Sequence, residues 1–108
     1  MDWEKATRIA CAIGGSRLVE PRMLLFRAAI DYARIRSEWQ LSTLEERVAM
    51  NAERTALHDA FIEACDVMGR RMASENEDAS WREDLGHDRK EIGDLACYIN
   101  LILGLAAR

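Results

Sequence analysis

Residues 80–108 read SWREDLGHDRKEIGDLACYINLILGLAAR, and this stretch decides the fold class. Its first part is polar and charged, and it then becomes apolar along one side at the spacing of an α-helix. Asp88 followed three residues later by Glu91 is typical of a helix N-terminus that a side chain caps. The stretch therefore predicts an amphipathic helix that must bury one face against other helices. That face is formed by Ile92, Leu95, Ala96 and Ile99.

Helical signals continue towards the beginning of the chain. Asp2 can cap a first helix, Gly14 and Gly15 can end it, and Pro21 marks the start of a second one. Hydrophobic residues make up 49% of the chain and charged residues 31%, which indicates a globular protein rather than a disordered one. Because runs of strand-forming residues are absent from the sequence, we predict an all-α fold. We expect a four- to five-helix bundle in a single helical domain, residues 1–108.

The middle of the chain predicts a helix that is too long for one small domain. Ser42 followed by Glu45 has the spacing of a capping box, and from there to Met72 only Gly69 interrupts the helical pattern. A continuous helix over 43–72 would be about 45 Å long, whereas a compact domain of this size has a diameter of about 35 Å. The helix must therefore break near Asn51, or project from the monomer and pack on a partner.

Two apolar stripes on this helix predict self-association. Leu44 and Val48 form one stripe, and a second, rotated stripe contains Leu57, Phe61, Ala64, Met68 and Met72. Because two stripes on one helix need two covering surfaces, we expect an oligomeric bundle in which the chain binds itself as a homodimer or tetramer.

Small residues line another side of the last helix, where they would let a neighbouring helix approach closely. This line contains Gly93, Cys97, Asn100 and Gly104. Asn100 is expected to be buried and to need a hydrogen-bond partner. The cysteines Cys11, Cys65 and Cys97 have no metal-binding spacing and are expected to be buried, which favours a reducing compartment. With no targeting segment in the sequence, we predict a cytoplasmic protein.

The charge distribution and the length of the apolar runs argue against two classes of partner. The net charge is −4, with +2 over residues 1–40 and −6 over residues 41–108. A dense basic stripe, the usual mark of a nucleic-acid-binding surface, is missing, so we expect no nucleic acid. The apolar run at residues 95–107 is too short to span a bilayer, so we expect no membrane contact either.

Acidic residues on two helices are candidate metal ligands. Glu91 and Asp94 lie three residues apart on one face of the last helix, and Asp59 and Glu63 lie one turn apart on the long helix. If the two helices run antiparallel, these carboxylates could hold Mg²⁺ and activate water. Alternatively, Glu91 belongs to a helix cap and the other carboxylates pair with arginines. In that case the protein has no cofactor.

The sequence Glu91-Ile-Gly-Asp94, followed by Leu95-Ala-Cys-Tyr-Ile99, resembles the second half of the acidic motif of MazG-type nucleotide pyrophosphohydrolases. The resemblance implies a small all-α dimer or tetramer that holds Mg²⁺ between two helices and cleaves nucleoside triphosphates. That family has Glu-x-x-Glu on the preceding helix, whereas this chain has Asp59-Ala-Phe-Ile-Glu63, with one more residue between the acidic groups. Residues 54–98 are also similar to small uncharacterised bacterial proteins carried on mobile gene cassettes, a resemblance that implies no activity.

Three further residues are candidates for binding a small molecule. His58 lies beside the acidic pair of the long helix, Trp81 lies near a helix boundary, and Arg89 opens the last helix. The sequence favours a self-associating module for protein interaction or small-ligand binding. The alternative is a Mg²⁺-dependent nucleoside triphosphate pyrophosphohydrolase of MazG-like type.

Overall fold

The computed structural model describes residues 1–106 and shows an all-α protein, as predicted. Within these residues the chain forms five α-helices and no β-strand. The helices are α1 (Trp3–Gly14), α2 (Val19–Gln40), α3 (Leu44–Ser74), α4 (Ser80–Leu85) and α5 (Arg89–Ala106). None of the helices described over this range combines the length and apolar character needed to cross a lipid bilayer.

Side-chain caps fix where several helices begin. The carboxylate of Asp2 accepts a hydrogen bond from the Lys5 backbone N–H at 2.7 Å and so begins α1. Asp88 accepts from the Glu91 backbone N–H at 3.1 Å in the same way. Both caps were predicted, and each satisfies a backbone N–H that the first helical turn leaves free.

The capping box of α3 lies one residue later than predicted. Thr43 Oγ1 accepts from the Glu46 backbone N–H at 3.2 Å, and Glu46 Oε1 accepts from the Thr43 backbone N–H at 2.8 Å. The hydrogen bonds with Thr43 hold the pKa of Glu46 below its usual range. The prediction of Ser42 and Glu45 was wrong because the Ser42 hydroxyl donates to the Glu38 carbonyl at 2.6 Å, so it belongs to the end of α2.

The helices α2 and α3 pack along each other as an antiparallel hairpin. Contacts between Tyr32 and His58, and between Trp39 and Arg54, show that α2 runs in the opposite direction to α3. The helix α5 packs on α2, α1 packs on α5, and α4 lies against α3 and α1. The core lies between these helices. Its largest fully buried side chains are Phe61, Ile9, Ile13, Leu25, Met68, Leu85, Ile92, Leu95, Ile99 and Cys65.

The helix α3 continues through Asn51 without a break. Its 31 residues correspond to about 46 Å, and the longest dimension of the molecule is 47 Å. The beginning of α3 therefore projects from the bundle, as the second of the two alternatives requires, and its packing on a partner stays a prediction.

The small-residue line on α5 does not pack as expected. The Arg36 side chain packs closely on Gly93. A Cβ atom added at Gly93 would lie 2.8 Å from Arg36 Cζ. Asn100 is exposed, so the prediction of a buried amide was wrong: the nearby helices cover the other side of α5. Cys65 is buried and Cys97 is half-buried, but Cys11 is exposed, contrary to expectation.

Candidate functional site

The carboxylates of Asp94 and Glu91 are neutralised by cations of the same chain. Asp94 accepts hydrogen bonds from the N-terminal amine at 3.1 Å and from Lys90 at 3.0 Å, and Arg36 lies 3.1 Å from its other oxygen. Desolvation opposes ionisation of Asp94, but these three cations outweigh it and lower the pKa of Asp94 to about 2. Glu91 accepts from the Lys5 ammonium. A metal ion would have to displace these partners.

The other acidic pair lies on the exposed side of α3. The side chains of Asp59 and Glu63 are each 70% exposed. Asp59 contacts His58 Nδ1 at 3.2 Å, and Glu63 lies 3.9 Å from Arg70 Nη2. Over residues 1–106 no group of three or more His, Cys, Asp or Glu side chains is placed to hold a metal ion. The Mg²⁺ site stays a prediction from the sequence.

The candidates for small-molecule binding lie apart from one another. His58 on α3 is 5% exposed and faces α2. Its ring stands edge-on to the Tyr32 ring, with the two ring centroids 5.3 Å apart. Its Nε2 atom is buried without a hydrogen-bond partner among the described residues. Arg89 is exposed at the start of α5, and Trp81 is buried with its Nε1 donating to the Met72 sulfur at 3.3 Å. Of these three, Trp81 lines a large cavity.

That cavity lies where the ends of α1 and α3 meet α4, and we call it the α1–α4 cavity. It has a volume of about 630 Å³. Apolar side chains of Ile9, Met72 and Trp81 line it together with charged residues at its edge. Sequence reasoning singled out Trp81 but missed the rest of this site, because its residues come from three helices and the two segments that follow α1 and α3. The charged lining residues are Arg8, Arg17, Glu77, Asp78 and Asp84.

Hydrogen bonds fix one corner of the α1–α4 cavity. The buried Ser16 hydroxyl donates to Glu77 Oε1 at 2.5 Å, and the Arg17 backbone N–H donates to Glu77 Oε2 at 3.1 Å. The hydrogen bond from Ser16, together with that from Arg17, holds the pKa of Glu77 below its usual range. Glu77 thus ties the loop after α3 to the loop after α1.

A second, apolar cleft lies between α1, α2 and α5. Its volume is about 340 Å³, and it is separated from the α1–α4 cavity by α1, whose Cys11 lines both. Phe26, Ile99, Ile102 and Leu103 supply most of its walls. It offers apolar contact but few groups that could orient a polar ligand.

An apolar ridge runs along the outer side of α3, and we call it the α3 ridge. Its members recur at every fourth position, and all are exposed: Leu44, Val48, Ala52, Ala56 and Ala60. Leu44 is 80% exposed and Val48 is 72% exposed. Residues four apart on a helix are neighbours, so the five side chains form a ridge that winds slowly around the helix, by about 40° per step. Monomeric proteins rarely expose long apolar rows of this kind.

No protein-family model, curated protein or solved structure matches this chain. Any functional conclusion must therefore be drawn from the arrangement of its residues.

Proposed function

We propose that this protein is a self-associating helical module in which two copies pair through the α3 ridge. The supporting observation is the order of side chains along the ridge, which is bulky at one end and small at the other. Leu44 and Val48 begin the ridge, and three alanines continue it. The pattern is complementary to itself when it is read in opposite directions.

An antiparallel pair related by a two-fold axis at Ala52 uses this complementarity. In this pair Val48 would lie beside Ala56 of the second copy, and Leu44 would lie at the rim of the contact. The two Ala52 residues would meet where the helices cross, and their small side chains would allow a close approach. Ridges formed by every fourth residue commonly pack on each other at a crossing angle of about −50°.

The expected affinity is modest. Complete burial of a Val side chain contributes about 1.5–3 kcal/mol, and the two Val48 side chains lie in the proposed interface with the two Leu44 side chains at its rim. Association costs about 4–15 kcal/mol in lost translational and rotational freedom. We therefore expect a dimer that dissociates on dilution rather than an obligate one.

Acidic residues beside the ridge should make self-association depend on the salt concentration. Glu45, Glu53 and Asp59 are exposed beside the ridge, and the antiparallel arrangement would bring Glu45 near Asp59 of the second copy. Like charges across the interface oppose association, and dissolved salt screens them. Self-association should therefore strengthen as the salt concentration rises.

Sedimentation velocity over a range of protein concentrations tests the proposal. We expect the average mass to rise from 12.3 kDa towards twice that value, and to rise further in high salt. The Ala52→Arg variant should stay monomeric, because a long side chain at the crossing point separates the helices. Arginine is a good helix former and Ala52 is exposed, so the fold should be unaffected.

The matched control is Ala73→Arg, which changes another exposed alanine of α3 away from the ridge. This variant should associate like the wild type. A wild-type chain that stays at the monomer mass at every concentration, or equal association of both variants, would refute the proposed interface.

A further inference from the structure

The α1–α4 cavity has an apolar floor. Ile9 is fully buried, and Met72 and Trp81 are 3% and 4% exposed. The hydrogen bond from Trp81 Nε1 to the Met72 sulfur holds the indole in place. An apolar group of a ligand would contact the small exposed parts of Met72 and Trp81, with Ile9 packed beneath them. The volume of about 630 Å³ lies in the usual range for small-molecule sites, about 300–1,000 Å³.

Charged residues of opposite sign line this cavity and come from different segments of the chain. Arg8 and Arg17 come from α1 and the segment that follows it, whereas Asp78 and Asp84 come from the segment that leads into α4 and from α4 itself. Across residues 1–106, neither Arg8 nor Asp84 takes part in a salt bridge within 4.0 Å. Both groups are exposed and so are accessible to a ligand.

We infer that the α1–α4 cavity binds a small zwitterion with an apolar side chain, a ligand of the amino-acid class. Its carboxylate would bind Arg8, with Arg17, which lies 3.7 Å from Glu77, nearby. Its ammonium group would bind Asp84, with Asp78, which accepts from the Ser80 backbone N–H, nearby. The side chain of the ligand would lie beside Trp81. An anion without an ammonium group would leave the aspartates unpaired, and a cation without a carboxylate would leave the arginines unpaired. Only a ligand carrying both charges satisfies both sides.

The site is held open before any ligand binds. Glu77 ties the loop after α3 to Ser16 and Arg17 through the hydrogen bonds described above, so the arginine side and the aspartate side are already joined. A preformed site loses less conformational freedom on binding.

The exposed thiol of Cys11 lines the cavity and supplies a direct measurement. L-Phenylalanine at millimolar concentration should slow the alkylation of Cys11 by iodoacetamide, as followed by mass spectrometry of the Cys11 peptide. Phenylpropionate, which lacks the ammonium group, and phenethylamine, which lacks the carboxylate, should protect Cys11 much less. Equal protection by all three compounds, or protection by none, would overturn the inference.

Two substitutions distinguish binding in the cavity from non-specific binding. Arg8→Gln and Asp84→Asn should each weaken protection by L-phenylalanine about tenfold, the effect of losing one charged hydrogen bond. The matched control is Glu83→Gln, because Glu83 is exposed beside Asp84 but does not line the cavity. Unchanged protection in the Arg8 and Asp84 variants, or equal weakening in the Glu83 variant, would contradict the assignment.

This inference is independent of self-association. The Ala52→Arg variant should bind L-phenylalanine like the wild type, since Ala52 does not line the cavity. Loss of protection in that variant would place the ligand elsewhere.

Discussion

The two ends of α3 have similar chemistry and opposite environments. Towards its C-terminus, Phe61, Cys65, Met68 and Met72 are buried in the core. Towards its N-terminus, Leu44 and Val48 stand in water although they continue the same helix. The two ends differ in which other helices pack near them. α4 reaches α3 at Gly69, where the Arg82 side chain packs, and α5 meets α2 at Arg36, four residues before α2 ends.

Where α4 and α5 no longer cover it, the α2–α3 hairpin is held together by a different kind of contact. The Arg54 guanidinium lies 4.1 Å from the centre of the Trp39 ring, and Arg47 lies 5.6 Å from it. Arg47 Nε also donates to the Trp39 carbonyl at 2.8 Å. Cation–π contacts and hydrogen bonds stabilise this end without covering its apolar residues. An apolar residue is therefore buried only where the chain provides a covering element.

The largest expected effect comes from truncating one side chain in each environment. Phe61→Ala should lower the free energy of unfolding by about 3–5 kcal/mol, because it leaves a cavity in a closed core. Leu44→Ala should change it by less than about 0.5 kcal/mol, because its side chain is already hydrated. Urea unfolding of both variants at low protein concentration measures the difference. Similar losses in both would show that the start of α3 is covered within one chain.

The ion pair of Asp94 with Arg36, where α5 meets α2, should make the free energy of unfolding depend on pH. Cations hold the pKa of Asp94 at about 2, against an ordinary value of 3.8. A lowered pKa in the folded state stabilises the protein above the unfolded pKa, and this contribution is lost as the pH falls from about 5 to about 2. Part of the Asp94 side chain contacts water, so the contribution is about 1 kcal/mol.

The Asp94→Asn variant tests this contribution. It should be less stable than the wild type at pH 7, and the difference should shrink towards pH 2, as measured by urea midpoints. Asp59→Asn is the matched control, because Asp59 is mostly exposed on α3. A constant difference between wild type and Asp94→Asn over this pH range would show that Asp94 stabilises the fold in some other way.

Local features of the fold were predictable from the sequence, and long-range ones were not. The caps at Asp2 and Asp88 were predicted because each depends on a residue only three positions away. The cap at Thr43 was missed because Ser42 takes part in ending α2, a competition that spacing alone does not reveal. The exposure of Asn100 depends on which side of α5 the neighbouring helices cover, and no short pattern contains that information.

The same distinction applies to the candidate sites. The sequence shows that Glu91 and Asp94 share one face of a helix, but their partners Lys5 and Arg36 lie far away along the chain. The sequence left open whether these carboxylates bind a metal or pair with cations, and the fold supplies Glu91 and Asp94 with cations. Most of the α1–α4 cavity was missed for the same reason, since Arg8 and Asp84 come to line one cavity only through folding.

The most direct test of the central claim is a disulfide at the predicted crossing point. Two cysteines bridge only if their Cα atoms lie about 4.4–6.8 Å apart, a distance that crossing helices reach at their closest residues. With Cys11 changed to Ser, the Ala52→Cys variant should form a covalent dimer under mild oxidation, and the Ala73→Cys variant should not. Absence of the Ala52→Cys dimer, or equal dimer yields from both variants, would contradict pairing through the α3 ridge.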